Sequence, residues 1–289
     1  MDLASSDGLQ LQWRPGRVLL GWLDDATADR LLARSVAGTT SEPAERRRRR
    51  DTARSSVDAR APHDLHDDPE WRERPASLDG HATRLADEHT EPGSVSLVDL
   101  APLHALQPYV FTDRAPQLVA PVTLEALADI TLPLTSTPDV VLGYDAASMT
   151  FRAMSPDQNL QVAGEFSGPL PGAPPGTIGV GFLVGAPPSR LRVKVVEGHP
   201  FLVDGYHRAV ALLAAGISAA PVLHDGSATF DELWTPGMLG EDVCLATRPP
   251  SVGDYLDDSV AASASLAYVG RTVTVSAAEL DLGAPERRA

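Results

Sequence analysis

The sequence predicts a mixed α/β fold in which strands outnumber helices. Short runs rich in β-branched residues recur from about residue 94 onward, and glycine, proline or aspartate bounds most of them. One strand-like run, residues 201–203, passes at once into a helix-like run that ends at Gly216, a typical left-handed helix stop. With 289 residues and 43% hydrophobic content, the chain is long enough to bury a sizeable core.

The N-terminal region, residues 1–93, differs in composition from the rest. The run GRVLLGWLDDATADRLLARSVAG predicts a short strand and a helix, with Asp25 or Thr27 near its start and Gly38 at its end. Residues 39–93 are polar, charged and nearly free of branched apolar side chains. Such a segment buries too little surface to offset its ordering entropy, so we expect it to be mostly disordered or loosely helical.

Residues 94–289 predict one mixed α/β domain. Strands are predicted at SVSLVDL, PYVFTD, NLQVAGEF, GTIGVGFLVG, APVL and RTVTVSA. Two hairpins are predicted, one at DVVLGYDAASMTFRAMS and one at RLRVKVVEGHPFLVD. TLEALADI predicts a short helix that Thr123 caps.

The net charge of the chain argues against sequence-independent binding to DNA or RNA. The chain has 24 basic and 39 acidic residues, a formal net charge of −15, and phosphate backbones bind mainly lysine and arginine. One basic run stands out, and it consists of Arg46, Arg47, Arg48, Arg49 and Arg50. It is either a patch for an acidic partner or a solvated run partly neutralised by Glu42, Glu45 and Asp51, and the second interpretation is favoured.

Cysteine content and hydropathy indicate a cytoplasmic protein. Cys244 is the only cysteine, which excludes an internal disulfide and a thiolate metal cluster. The longest apolar stretch, residues 209–217, is far shorter than a membrane helix requires, and no secretory signal is visible at residues 1–10. The run HDLHDD, residues 63–68, has metal-ligand residue types, but we expect no fixed scaffold there and predict no metal ligands.

The joint at residues 204–208 is the predicted functional site. A strand that turns sharply into a helix directs free backbone N–H groups at an anion, and Gly205 permits the turn. Arg208 can form a fork on phosphate oxygens, His207 can donate a hydrogen bond or a proton, and Tyr206 can stack on a base or sugar. In the alternative interpretation, Asp204 is an ordinary N-cap that occupies these N–H groups.

The segment FLVDGYHRAVALLAAGISAAPV resembles the core of the ParB/sulfiredoxin superfamily, over about residues 190–224. The resemblance implies a core at about 178–224 in which Gly205, Tyr206, His207 and Arg208 bind a nucleoside triphosphate. ATP or CTP with Mg²⁺ is then the expected cofactor. Sulfiredoxins carry Gly-Cys-His-Arg at this turn. Tyr206 stands in place of that cysteine, so sulfinic-acid repair is not implied, and no helix-turn-helix follows residue 224 to imply chromosome partitioning.

Two functions from different classes are therefore predicted. The first is a nucleotide-binding protein that acts as a small-molecule kinase or nucleotidase, with Asp204 or Glu197 as candidate base and Asp225 also near in sequence. The second is a non-enzymatic protein-interaction module on the same fold. A small-molecule nucleotide and a protein are the expected partners, and neither membrane nor nucleic acid is expected.

Overall fold

The computed structural model describes residues 12–34, 40–63, 68–88, 94–113, 123–135, 139–155, 159–169, 172, 174–268 and 270–276. The described strands are, in chain order, β1 (Gln12–Val18), β2 (Trp71–Arg72), β3 (Ser94–Asp99), β4 (His104–Ala105), β5 (Tyr109–Phe111), β6 (Val141–Asp145), β7 (Thr150–Ser155), β8 (Gln161–Pro169), β9 (Ile178–Gly185), β10 (Arg192–Val196), β11 (His199–Asp204), β12 (Ala219–Ser227), β13 (Ala262–Tyr268) and β14 (Arg271–Ser276). The helices are α1 (Asp25–Leu31), α2 (Pro43–Asp58), α3 (Asp79–Glu88), α4 (Leu124–Thr131), α5 (Tyr206–Ala214), α6 (Phe230–Leu233) and α7 (Glu241–Cys244), with 3-10 turns at Leu20–Trp22, Ala76–Leu78 and Val252–Leu256. The predicted mixed, strand-rich α/β class is confirmed.

The chain divides into two compact units. The larger unit comprises Gln12–Leu134 and Pro188–Tyr268, and the smaller unit is built on Thr135–Pro187 together with β14. This division differs from the predicted one, which separated residues 1–93 from 94–289. It also divides the predicted core at about 178–224, because β9 pairs with β8 in the smaller unit.

A six-stranded sheet of the larger unit positions the residues of functional interest. Its strand order is β2-β3-β12-β10-β11-β4, with β10/β12 and β11/β4 parallel and the other pairs antiparallel. The predicted hairpin of β10 and β11 is confirmed. Val196 pairs with His199, which leaves Glu197 (φ 52°) and Gly198 (φ 92°) as a two-residue turn. A two-residue turn in which both residues have positive φ matches the twist of the strands that it connects.

The helix α5 lies against β5 and the 3-10 turn Val252–Leu256, and it completes a strand–helix–strand unit with β11 and β12. Its inner face buries Ala209, Val210 and Leu212 in the main core, which also contains Phe201. Backbone N–H groups of Gly216 and Ile217 bond to carbonyls of the last helical turn, and Gly216 has φ 81°. The predicted helix with its glycine stop is confirmed, and so is the following strand, β12.

A second sheet of the larger unit, in the order β13-β1-β5, is antiparallel throughout. The predicted helix after β1 is confirmed: α1 begins at Asp25, and Asp24 accepts a hydrogen bond from the Thr27 N–H. The helix ends at Leu31, earlier than the predicted end at Gly38, which itself lies outside the described residues. Thr123 caps α4 as predicted, by accepting a hydrogen bond from the Ala126 N–H.

Residues 39–93, predicted to be mostly disordered or loosely helical, contain the helices α2 and α3 and the strand β2. The helix α2 buries Arg50, Ala53 and Val57, and its neighbour is the 3-10 turn Leu20–Trp22. Arginine stems supply apolar surface here while their charged ends reach acceptors, a packing mode that a count of branched apolar residues overlooks. Within the arginine run, Arg50 forms an ion pair with Asp25, with its Nη1 atom 3.3 Å from the Asp25 Oδ1 atom.

The smaller unit contains two sets of strands. Strands β14, β7 and β6 form an antiparallel sheet, and its β6–β7 pair confirms the hairpin predicted for residues 139–155. Strands β8 and β9 form a separate antiparallel hairpin. Asp145 shapes the β6–β7 turn by accepting hydrogen bonds from the Ala147 N–H and the Ser148 hydroxyl. Within the described parts of the chain, no helix combines the length and the apolar character that crossing a membrane requires.

Candidate functional site

Gly205 makes the sharp passage from β11 into α5. Its φ of 86° lies in the left-handed region, and a Cβ there would meet the Arg190 carbonyl oxygen at 2.7 Å and a Leu191 methyl carbon at 2.6 Å. Both the backbone conformation and the close approach of the segment before β10 therefore require glycine. The predicted strand–glycine–helix geometry is confirmed.

Asp204 holds that same segment rather than capping the helix. One carboxylate oxygen accepts hydrogen bonds from the Ser189 hydroxyl (2.8 Å) and the Gly205 N–H (2.6 Å), and the other accepts from the Arg190 N–H (3.0 Å). The N-cap position is Gly205, which has no side chain to accept from the first turn. The interpretation of Asp204 as an ordinary N-cap is thus corrected, because its oxygens are directed at the chain entering β10.

Tyr206 points into the core. Its ring is almost completely buried, and its hydroxyl accepts from the Leu106 N–H (2.7 Å) and donates to the Leu202 carbonyl. Burial also raises the pKa of this phenol well above its ordinary value. A ring enclosed in this way has no face to offer to a base or sugar, so the structure does not support the stacking role predicted for it.

His207 and Arg208 also contact the protein itself. The imidazole of His207 stacks parallel to the Phe111 ring, with centroids 5.7 Å apart. The Arg208 guanidinium donates a hydrogen bond to the Ser189 carbonyl. Together with Asp204, Arg208 therefore fixes the chain at Ser189. All five residues of the predicted joint, residues 204–208, thus contact other parts of the protein.

The other candidate base, Glu197, is remote from this joint. It lies exposed in the β10–β11 turn, at the opposite end of β11 from Asp204. At about 3.3 Å per strand residue, the two carboxylates are on the order of 20 Å apart. Asp225 bonds to Arg192, with Arg192 Nε 2.6 Å from its carboxylate oxygen. The structure does not bring Glu197 and Asp204 together as one catalytic group.

A second polar cluster lies where β11 begins. His199 is the first residue of β11, and His104 is the first residue of the parallel neighbour β4, with Phe201 opposite His104. His63 and Asp68 come from the segment between α2 and β2. We call His63, Asp68, His104 and His199 the histidine–aspartate cluster.

Ligand atoms in the histidine–aspartate cluster lie at metal-binding separations. The His63 Nε2 atom is 3.0 Å from Asp68 Oδ1 and 3.3 Å from His104 Nε2, while His104 Nε2 is 3.4 Å from Asp68 Oδ1. His199 Nδ1 lies 3.4 Å from Asp68 Oδ2, and all four ligand atoms are within 4.8 Å of one another. Ligands about 2.05 Å from a tetrahedral zinc ion are about 3.3 Å apart, and four of the separations in the cluster, 3.0 to 3.4 Å, lie close to that value, while the other ligand atoms are within 4.8 Å.

Burial keeps the central imidazole in its metal-binding form. The side chain of His104 is 2% exposed, and this burial, followed by the charges of His63 and His199, lowers its pKa to about 4, while Asp68 opposes the shift. The imidazole is therefore neutral at pH 7, and neutral imidazole is the form that binds a metal ion.

Neighbouring backbone contacts fix the histidine–aspartate cluster in place. The His63 N–H donates to the Thr247 carbonyl at 2.7 Å, which ties the end of the 40–63 segment to the chain after α7. His104 forms a β-bridge with Ser251, and its ring meets the buried Phe201 ring at a centroid distance of 4.9 Å. The expectation that the run HDLHDD lacks a fixed scaffold is thus not met at His63 and Asp68; the four residues between them lie outside the described residues.

A cleft of about 240 Å³ opens beside two of the cluster's imidazoles. Its walls include His63, His104, Arg60, Arg248, Ser251 and Asp254. Arg60 forms ion pairs with Asp254 (2.7 Å) and Asp257 (2.8 Å). A metal ion in the cluster would thus lie at the wall of a cleft that also carries guanidinium groups.

The thiol of Cys244 is neither a ligand in the histidine–aspartate cluster nor a reactive nucleophile. Its thiol is buried and directed at the Ala105 carbonyl, with sulfur and oxygen 3.7 Å apart. Burial raises the thiol's pKa to about 12, so the nucleophilic thiolate is not formed near neutral pH.

The chain matches no family model, no curated protein and no solved structure. Its function is therefore inferred from its own residues and their geometry.

Proposed function

We propose that the larger unit binds one divalent transition-metal ion at the histidine–aspartate cluster. The observation that carries the proposal is the convergence of three imidazole nitrogens and a carboxylate within 4.8 Å, from segments far apart in sequence. Three closely packed imidazoles repel one another whenever more than one is protonated, so the arrangement is better suited to a bound cation than to protons. Asp68 contributes the negative charge that favours such a cation.

Ligand chemistry favours zinc over magnesium or calcium. Imidazole nitrogen suits zinc, copper, iron and nickel, whereas magnesium and calcium prefer an all-oxygen shell. Three of the four ligands in the cluster are nitrogens. The four separations of 3.0 to 3.4 Å are compatible with tetrahedral zinc, and additional coordination from the adjacent cleft would give a five-coordinate ion.

The test measures zinc binding to the full chain. The protein is freed of metal with a chelator, loaded with zinc, desalted and analysed for metal content. We expect one zinc per chain and a raised melting temperature, because a ligand that binds only the folded state stabilises it. His199→Ala, at a partly exposed strand start, should abolish both effects.

The matched control is His224→Ala, which removes a partly exposed histidine that contacts the Trp71 ring outside the histidine–aspartate cluster. This variant should retain one zinc per chain. A wild-type chain without stoichiometric zinc, or a His199→Ala chain that retains it, would overturn the proposal.

Nucleotide binding is the second candidate function, and the strand–glycine–helix order of β11, Gly205 and α5 favours it. The ParB/sulfiredoxin-like resemblance of this segment implies ATP or CTP with Mg²⁺, and a small-molecule kinase or nucleotidase, or an interaction module that has lost nucleotide chemistry. A cytoplasmic location is a separate proposal, supported by the single cysteine and the short apolar stretches of the sequence. The internal contacts of Asp204, Tyr206 and Arg208 place this candidate behind metal binding.

A further inference from the structure

Arg248 is the distinctive residue of the cleft beside the histidine–aspartate cluster. Its Nε donates to the Arg60 carbonyl at 2.6 Å, and its own carbonyl accepts from the Trp22 indole N–H at 2.8 Å. Both the backbone carbonyl and the Nε atom of Arg248 are thus fixed, and Pro249 and Pro250 stiffen the chain that follows.

Arg248 lines the cleft and has no carboxylate partner in the part of the chain that the structure describes. Among the residues that the structure describes, no hydrogen bond or ion pair involves its two Nη atoms, whereas Arg60 beside it is engaged by both Asp254 and Asp257. A half-buried guanidinium whose planar fork is free is the group that proteins use to bind carboxylate or phosphate in a bidentate manner.

Local charge favours an anion here although the chain as a whole is acidic. A divalent ion with Arg60 and Arg248 brings four positive charges, against three negative charges from Asp68, Asp254 and Asp257. The site is thus positive within a protein of net charge −15. A concave positive site of this kind attracts small anions, while the overall charge repels large polyanions.

We propose that this cleft binds a small molecule bearing a carboxylate or phosphate group, one oxygen of which coordinates the metal while others accept hydrogen bonds from Arg248. The inference rests on the proposed metal site and names the ligand class of that site. A cleft volume of about 240 Å³ is below the range of about 300–1,000 Å³ typical of pockets that hold drug-sized molecules, so the ligand is small.

Calorimetry on the full chain tests the proposal. The protein is loaded with zinc and desalted, and its metal content is measured first. Sodium phosphate and sodium succinate are then titrated separately as the probes. We expect at least one of them to bind at a single site, and the one that binds more tightly identifies phosphate or carboxylate as the preferred group.

Arg248→Gln should weaken that binding about tenfold to a hundredfold while metal content stays at one zinc per chain, because it removes charge-assisted hydrogen bonds. The matched control is Arg84→Gln, since Arg84 is an exposed arginine whose Nε also donates to a carbonyl, that of Gly80, outside the cleft. Its anion affinity should equal that of the wild type. Should Arg248→Gln fail to fold, Arg248→Lys keeps the charge, loses the fork and should still bind more weakly.

Direct coordination has its own readout. In protein loaded with Co²⁺ instead of zinc, the bound anion should change the visible absorption spectrum, because an added oxygen ligand alters the geometry at the ion. A chain that holds one zinc but binds neither probe, or an Arg248→Gln chain that binds as tightly as Arg84→Gln, would overturn the inference. Absence of zinc would already appear in the metal analysis, and it would refute the metal site itself.

Discussion

The Nε2 atoms of His63 and His104 lie 3.3 Å apart although 41 positions separate the two residues in the chain. Two imidazole nitrogens this close share either one proton or one metal ion. Asp68 Oδ1 lies within 3.4 Å of both nitrogens, so a positive charge between them has an anion beside it. This relationship is what distinguishes the cluster from a chance meeting of surface histidines.

Asp68→Asn should separate charge from shape at this centre. The amide keeps the size of the side chain but removes the negative charge, so we expect zinc affinity to fall by more than about a hundredfold, since even partners outside the coordination shell contribute tenfold to a hundredfold. Competition against a chromophoric chelator measures the affinity. Asp58→Asn, at the exposed end of α2, is the matched control, and equal affinities in the two variants would contradict an ionic role for Asp68.

The arginine run in α2 is predicted to stabilise the fold through one member in particular. Arg50 is buried and lies 3.3 Å from Asp25, whereas Arg47 is exposed on the same helix. Arg50→Ala should lower the free energy of unfolding by about 1–2 kcal/mol through lost stem packing and ion pairing, and Arg47→Ala by less than about 0.5 kcal/mol. Urea denaturation measures both, and similar losses would mean that α2 does not dock as described.

Amide exchange gives an independent check on α2. A docked helix should exchange slowly over Pro43–Asp58, especially near the buried Ala53 and Val57. Exchange as fast as in an unfolded peptide would restore the sequence-based expectation of disorder.

Local signals explain why many elements could be predicted. The β10–β11 turn, the β6–β7 turn, the Thr123 cap and the Gly216 helix stop each depend on residues within a few positions of one another. Their chemistry is therefore visible in a short window of sequence. The helix α2 depends instead on partners such as Asp25 and the turn Leu20–Trp22, so composition alone indicates a solvated segment.

The candidate metal centre could not be predicted for the same reason. His63 and Asp68 belong to a run with recognisable ligand types, but His104 and His199 are single histidines at the starts of two strands. Only the parallel pairing of β4 with β11 brings them together. The joint at 204–208 is predictable as a strand-to-helix passage, but the direction of its side chains depends on Ser189 and Leu106, which are distant in sequence.

Arg208→Ala tests the second candidate function. Because the guanidinium holds the Ser189 carbonyl, we expect a loss of about 1–2 kcal/mol in the free energy of unfolding, a larger effect than an exposed arginine would have. If the joint also binds phosphate, ATP or CTP with Mg²⁺ should raise the melting temperature of the wild type, and the variant should bind about tenfold to a hundredfold more weakly. A destabilised variant, with no nucleotide-induced shift in the wild type, would assign Arg208 to structure alone.

Gly205→Ala and Gly216→Ala should separate two reasons for a glycine. Both residues have positive φ, 86° and 81°, so each alanine is strained by on the order of 1 kcal/mol. A Cβ at 216 meets nothing within 4 Å, whereas one at 205 would meet the Arg190 carbonyl oxygen at 2.7 Å and displace the chain that Asp204 holds. Gly205→Ala should therefore cost at least about 2 kcal/mol more than Gly216→Ala in urea denaturation, in the range of other overpacked sites. Equal losses would show that the segment before β10 moves freely, and that the contacts of Asp204 and Arg208 with it contribute little to stability.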